Sequence, residues 1–139
     1  MEPLSFHHVC LSVSDAGQSV AFYAKLGFKK FHFYEDDTLS ITHIVNGSML
    51  LELVCYHDFT PAPASIFETD SDLPVIGTKH FGLRVHSAEA AKSELEEQGI
   101  VTSPIKIKRG RTVTAYFFIA DPDGILVEMV QDDRPGLPV

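Results

Sequence analysis

Two histidines and two glutamates interrupt apolar, strand-like segments of this 139-residue sequence: His8, His80, Glu52 and Glu128. An unpaired charge inside an apolar strand is costly, so such carboxylates are usually paired, bound to a metal or facing a cleft. Two neutral imidazoles and two carboxylates together suit Zn, Ni, Co, Mn or Fe(II). These residue types therefore predict a site for one divalent metal ion.

The two histidines begin two similar segments, His8–Val13 and His80–Val85, which are 72 residues apart (80 − 8). Both segments alternate apolar and polar residues, which predicts strands with one apolar face. Gly27 and Gly99 keep the same offset of 72 residues (99 − 27). A single strand histidine is more often structural than a ligand, but matched places in an internal repeat favour the metal site.

The repeat predicts two βαβββ modules, at residues 5–57 and 78–131, within a single domain of residues 1–139. Residues 58–77 are polar and proline-bearing without usable periodicity, which is typical of a linker loop. The predicted elements, in chain order, are a strand at 7–13, a helix at 18–26, strands at 28–35, 39–45 and 48–56, a strand at 79–85, a helix at 88–98, and strands at 100–106, 113–120 and 125–131.

His43 is predicted to lie on the same side of the sheet as Glu52. If Asn46-Gly47 forms a two-residue hairpin loop, Ile41 pairs with Glu52, and His43 lies diagonal to that glutamate on one face. There His43 could contact a substrate oxygen or transfer a proton. A register slip of one residue would instead turn it outward to solvent.

Arg84 follows His80 by four residues, so alternation places both side chains on one face. We predict that Arg84 binds an anionic group of a small-molecule substrate. A basic segment at 106–111 holds four of the eleven Lys and Arg residues. This segment could cover an acidic substrate or be a solvated surface loop.

Charge and cysteine content narrow the class of protein. A net charge of −8 argues against nucleic acid or an anionic membrane as the main partner. No apolar run approaches the roughly 20 residues of a membrane span, and no signal sequence opens the chain. Cys10 and Cys55 lack metal-type spacing, and alternation points them to opposite faces of the sheet. We therefore predict two reduced thiols in a cytoplasmic protein.

Three motifs occur along the chain. They are His-x-x-x-x-Val at the start of each module, Leu26-Gly27-Phe28 after the first helix, and Asp121-Pro122-Asp123-Gly124 before Glu128. In these motifs the chain resembles the vicinal oxygen chelate superfamily over about residues 5–131. That superfamily includes glyoxalase I, methylmalonyl-CoA epimerase, extradiol dioxygenases and fosfomycin- and bleomycin-resistance proteins. The resemblance implies an α+β fold whose paired βαβββ modules form a curved, cup-shaped mixed sheet around one metal ion. The implied ligands are His8, Glu52, His80 and Glu128.

The set of two histidines and two glutamates is similar to that of bacterial glyoxalase I. This implies a metal-dependent lyase or isomerase that stabilises an enediolate-like anion on a substrate chelated through two adjacent oxygens. A metal-bound carboxylate that dissociates, Glu52 or Glu128, would be the base, with bound water as the alternative. The resemblance also implies a homodimer, with the modules paired either within a chain or between two chains.

Two positions depart from bacterial glyoxalase I. An arginine expected four residues after the first histidine is Ser12, and an asparagine expected four residues after the first glutamate is Tyr56. Use of glutathione is therefore an open question. The alternatives are an epimerase, which often has glutamine at the position of Glu52, an Fe(II)-dependent dioxygenase with one glutamate ligand, and a non-catalytic binding or resistance protein.

Overall fold

A computed structural model describes residues 1–63, 69–101 and 104–137 of the chain. The fold is α+β, as predicted, with two four-stranded mixed sheets and few helices. The chain divides into two compact units, Met1–Pro63 and Ala64–Val139, here called the first and the second unit. No helix among the described residues is long and apolar enough to cross a bilayer. That the two modules combine into one domain stays a prediction.

The first unit has the predicted βαβββ order. Its elements are β1 (Val9–Ser12), α1 (Ala16–Lys25), β2 (Lys29–Glu35), β3 (Leu39–Asn46) and β4 (Met49–Tyr56). The strand order in the sheet is β1-β4-β3-β2, with β1 parallel to β4 and the other pairs antiparallel. The last strand of the module is therefore central and lies between β1 and β3.

Helix α1 begins two residues before the predicted start because Asp15 caps it. The Asp15 side chain accepts a hydrogen bond from the backbone N–H of Gln18, at 3.0 Å. This bond satisfies one of the donors that a helix start leaves without a partner. Tyr23 from the same helix is fully buried, at 0% exposure. The helix thereby anchors the unit's core.

The hairpin between β3 and β4 corrects the predicted register. Asn46 pairs with Met49, so the loop is Gly47-Ser48 rather than Asn46-Gly47. Gly47 has φ +58°, whereas Ser48 has no positive φ, which is the pattern of a type II′ turn with glycine first. Asn46 stays in the ladder, and its side-chain amide donates to the Leu26 carbonyl at 3.1 Å. Each cross-strand partner moves by two residues, which preserves the predicted face.

The second unit repeats the topology with a shorter edge strand. Its elements are α2 (Thr69–Asp72), β5 (Phe81–Arg84), α3 (Ala88–Glu97), β6 (Lys108–Arg109), β7 (Ala115–Ala120) and β8 (Leu126–Gln131). The order is β5-β8-β7-β6, with β5 parallel to β8. Helix α2 lies inside the segment that was predicted to be a linker loop, of which residues 64–68 are outside the described residues.

The prediction of a strand at residues 100–106 is wrong. The described part of that range is not strand, and residues 102–103 lie outside the described residues. The edge strand is instead β6, which falls inside the basic segment predicted to be a loop. Four basic side chains in six residues carry no alternation of apolar and polar types, so periodicity gave no signal for this strand.

One face of each central strand is buried and positions the glutamate on the other face. Leu51 and Leu53 in β4 are 2% and 0% exposed, and they flank Glu52. Val127 and Met129 in β8 are 0% and 6% exposed, and they flank Glu128 in the same way. Because successive strand residues point to opposite faces, both glutamates are directed away from these buried residues.

Candidate functional site

Glu52 lies between two neighbouring strands of the first unit. Its partner in β1 is Cys10 and its partner in β3 is His43. Nε2 of His8, one residue before β1, is 3.8 Å from Oε1 of Glu52. Nε2 of His43 is 2.8 Å from Oε2 of the same carboxylate. The two oxygens of Glu52 therefore face two different histidines.

The surroundings keep Glu52 ionised. The hydrogen bond from His43 lowers the pKa of Glu52, and this effect and the charges of the neighbouring histidines outweigh the opposing effect of burial. Burial raises the pKa of the Cys10 thiol, and the nearby Glu52 carboxylate raises it further. Cys10 and Cys55 are both free cysteines, and the Cys55 thiol donates to the Ser14 carbonyl at 3.6 Å.

A second contact holds His8. Nδ1 of His8 lies 2.7 Å from Nδ1 of His7, so one of these nitrogens must donate to the other. Histidines that bind a metal through one ring nitrogen usually donate the other N–H to a partner. The His7 contact could supply that partner, because it leaves Nε2 of His8 directed at Glu52.

Glu128 has apolar neighbours in the second unit. Its partner in β5 is Gly82 and its partner in β7 is Phe118. Nε2 of His80 is 3.3 Å from Oε2 of Glu128. The His80 ring packs edge-to-face on Phe118, with 4.9 Å between ring centroids. Its Nδ1 is buried and has no hydrogen-bond partner among the described residues.

Both pairs fit a metal ion in donor chemistry and spacing. Each pair directs an imidazole Nε2 at a carboxylate oxygen, at 3.8 Å in the first unit and 3.3 Å in the second. Two ligand atoms about 2.1 Å from a tetrahedral ion lie about 3.4 Å apart, so these separations suit a shared ion. Within the part of the chain that the structure describes, no group of three or more His, Cys, Asp or Glu is arranged to hold a metal ion. The four-ligand site stays a prediction.

The two predicted substrate contacts have well-defined partners. His43 lies on the predicted face, but directly opposite Glu52 rather than diagonal to it. Arg84 lies in β5, where its Nη2 donates to the backbone carbonyl of Asp132 at 2.7 Å. This bond ties the guanidinium to the segment that follows β8. The role of either residue in substrate binding stays a prediction.

Two neighbours of Glu128, Gly82 and Phe118, were not predicted as part of the site. Their residue types carry no signal of chemistry in a sequence. Aligning the two modules on their glutamates would have placed Ile119 rather than Phe118 at the position of His43, because Phe118 lies 10 residues before Glu128 (128 − 118) whereas His43 lies 9 before Glu52 (52 − 43). Gly82 keeps the 72-residue offset from Cys10 (82 − 10).

The chain is similar to a known protein family, to a curated relative and to several solved structures. Residues 5–129 match the model of the Glyoxalase/Bleomycin resistance protein/Dioxygenase superfamily. Uncharacterized protein YwkD of Bacillus subtilis (strain 168) is 32% identical over 133 residues, covering 91% of this chain and 96% of that protein. The crystal structure of a glyoxalase family protein from Enterococcus faecalis is 27% identical, with TM-score 0.74, covering 91% and 97% of the two chains. The trypanothione-dependent glyoxalase I of Leishmania major is 19% identical, with TM-score 0.64, covering 93% and 87%, and supports the fold alone.

Proposed function

Because this chain belongs to the Glyoxalase/Bleomycin resistance protein/Dioxygenase superfamily, we propose that it is a metal-dependent lyase or isomerase of the glyoxalase I type, acting in the cytoplasm. The observation that carries the proposal is that each unit pairs one histidine with one glutamate. In the proposal, His8, Glu52, His80 and Glu128 together hold one divalent ion, with Ni, Zn, Co, Mn and Fe as candidates. In the proposal, the four ligands of one ion come either from a single chain or from the two chains of a homodimer.

The proposed chemistry divides between the ion and the carboxylates. A bound divalent ion would supply Lewis-acid stabilisation of negative charge on a small molecule with two adjacent oxygens. Either Glu52 or Glu128 would accept the carbon-bound proton, since an ionised carboxylate is an acceptor. The hydrogen bond from His43 supports an ionised Glu52. Arg84 would bind an anionic group of the substrate, for which its planar guanidinium is suited.

Calorimetric titration of metal-free protein with Ni or Zn tests the metal site directly. We expect about one bound ion per chain, because each chain supplies the four ligands of one ion. His80→Ala and Glu128→Ala should each weaken binding strongly, because each removes one ligand. Parent-like affinity in both variants would show that the second unit contributes no ligand and that the assignment is wrong.

An assay on a hemithioacetal of methylglyoxal and a thiol tests the reaction class. Glutathione and a simple thiol are compared, with Ni, Zn and Fe(II) added separately. Isomerisation that depends on metal supports the proposal. Oxygen uptake on a catechol with Fe(II) would identify a dioxygenase instead. Epimerisation of an acyl thioester would identify an epimerase, and tight drug binding without metal would identify a resistance protein.

A further inference from the structure

His43 makes a short side-chain contact with Glu52, one of the proposed ligands. Its Nε2 lies 2.8 Å from Oε2 of Glu52, and the two side chains are 22% and 25% exposed. A hydrogen bond that is largely withdrawn from water is stronger than an exposed one. The two residues are directly cross-strand partners in β3 and β4, so the backbone ladder itself holds them together.

The donor in this contact can be assigned. A carboxylate that binds a metal ion is deprotonated, so Glu52 as a ligand has no hydrogen to give to His43. Nε2 of His43 must then carry the hydrogen. A nitrogen that carries a hydrogen has no lone pair for a metal ion, so His43 in this state is not a ligand through Nε2.

We propose that His43 is a positioning residue that holds Oε2 of Glu52 and so leaves Oε1 as the oxygen that binds the metal. Oε1 is the oxygen on the side of His8, 3.8 Å from its Nε2. The hydrogen bond fixes the rotation of the carboxylate, so that one defined oxygen accompanies the imidazole of His8. This inference rests on the proposed function, since it concerns the metal site proposed there.

The second unit offers a natural comparison for this role. Phe118 stands opposite Glu128 where His43 stands opposite Glu52. A phenylalanine fits a strand and packs there, but it has no hydrogen to donate. The chain itself thus shows that an aromatic ring without a donor is tolerated at this place in the module. His43→Phe is therefore a suitable test substitution.

The test measures Ni affinity of metal-free protein by calorimetry for three variants. His43→Phe removes the donor and should lower affinity by about 10–100-fold, the range for partners of metal ligands. His43→Gln keeps an amide N–H at a similar reach and should restore most of the affinity. His32→Phe is the control, because His32 is the cross-strand partner of His43 in β2, with 6.1 Å between ring centroids. It should bind Ni as the parent does.

Two further measurements keep the outcomes distinct. Thermal unfolding of each metal-free variant confirms that it is folded, and ¹⁵N NMR of the parent should show His43 with its hydrogen on Nε2. Parent-like Ni affinity in His43→Phe would overturn the inference while leaving the metal site intact. Equal weakening in His43→Phe and His43→Gln would overturn the donor role. A parent protein that binds no metal would overturn both this inference and the proposed function.

Discussion

The two units hold the same pair of residues in different surroundings. In each, a histidine just before the first strand faces a glutamate in the last strand. Glu52 has Cys10 and His43 as its strand neighbours, whereas Glu128 has Gly82 and Phe118. The repeat therefore sets where each pair lies, and residues one strand away set how firmly each carboxylate is held.

The two histidines also differ in their surroundings, with a polar partner in the first unit and an apolar one in the second. His8 contacts the ring of His7 through Nδ1, at 2.7 Å. Nδ1 of His80 is buried without a hydrogen-bond partner among the described residues, and the ring instead packs on Phe118. Polar contacts hold the pair of the first unit, and apolar packing holds the pair of the second. This difference leads to three predictions beyond those made above.

The largest expected effect concerns which glutamate accepts the proton. Glu52 is held by the contact with His43, whereas Gly82 and Phe118, the strand partners of Glu128, have no hydrogen-bonding side chain, so we expect Glu128 to be the carboxylate that moves more freely. Glu128→Gln keeps an oxygen that can bind metal but cannot accept a proton. We expect it to lower kcat by about 10²–10⁴-fold at saturating metal, the usual contribution of a general base. Steady-state kinetics on the active substrate measure this loss.

Glu52→Gln is the matched control for that prediction. Under the same saturating metal it should retain most of the turnover, because Glu52 would act as a fixed ligand. Isothermal calorimetry on both variants separates metal loss from loss of the base. A greater loss of kcat in Glu52→Gln than in Glu128→Gln would reverse the comparison between the units.

A smaller effect is expected from adding a methyl group at Gly82, beside Glu128. A methyl group at Gly82 would lie 3.4 Å from Oε2 of Glu128 and 3.8 Å from Cγ1 of Val130, which is ordinary contact. Since a strand glycine costs conformational entropy, Gly82→Ala should raise the free energy of unfolding by about 0.5–1 kcal/mol. Denaturant unfolding measures this gain, and Cys10→Ala is the control at the corresponding place. A loss of stability in Gly82→Ala would show that the position is more crowded than the structure indicates.

The smallest effect concerns the segment after β8. Arg134 donates to both oxygens of Asp132, at 2.9 and 2.5 Å, and these hydrogen bonds lower the pKa of Asp132 to about 2. A lowered pKa stabilises the folded state above the unfolded value near 4, and this contribution disappears as the pH falls from about 4 to about 2. Arg134→Gln should therefore raise the pKa of Asp132 and lower stability at pH 5 but not at pH 2.

NMR titration of the Asp132 carboxyl and denaturant unfolding at the two pH values measure this effect. Arg109→Gln, at an exposed position in β6, is the control for loss of a positive charge. The same stability difference at both pH values would show that the ion pair is not the cause. The first unit has Ser12 where the second has Arg84, which also contacts Asp132, so this arrangement belongs to the second unit.

Strand faces were predictable where alternation was clear. The buried residues Leu51 and Leu53 flank Glu52, and this pattern is visible in the sequence. The register of the β3–β4 hairpin was not predictable, because Asn46-Gly47 and Gly47-Ser48 are both acceptable two-residue loops. The contact of the Asn46 amide with the Leu26 carbonyl favours the second loop. That contact joins residues 20 positions apart (46 − 26), which a local pattern does not reveal.

The sequence by itself determined the repeat, the α+β class and the family, because these depend on periodic residue types and on short motifs. It also predicted which residue types a metal site would use, and that site stays a prediction. Only the tertiary structure decided that His43 contacts Glu52, that Phe118 stands in the equivalent place beside Glu128, and that Arg84 bonds to the Asp132 carbonyl. These contacts join a residue on one strand to a residue on another strand or just after it, and their distances depend on register and packing, which local periodicity does not encode.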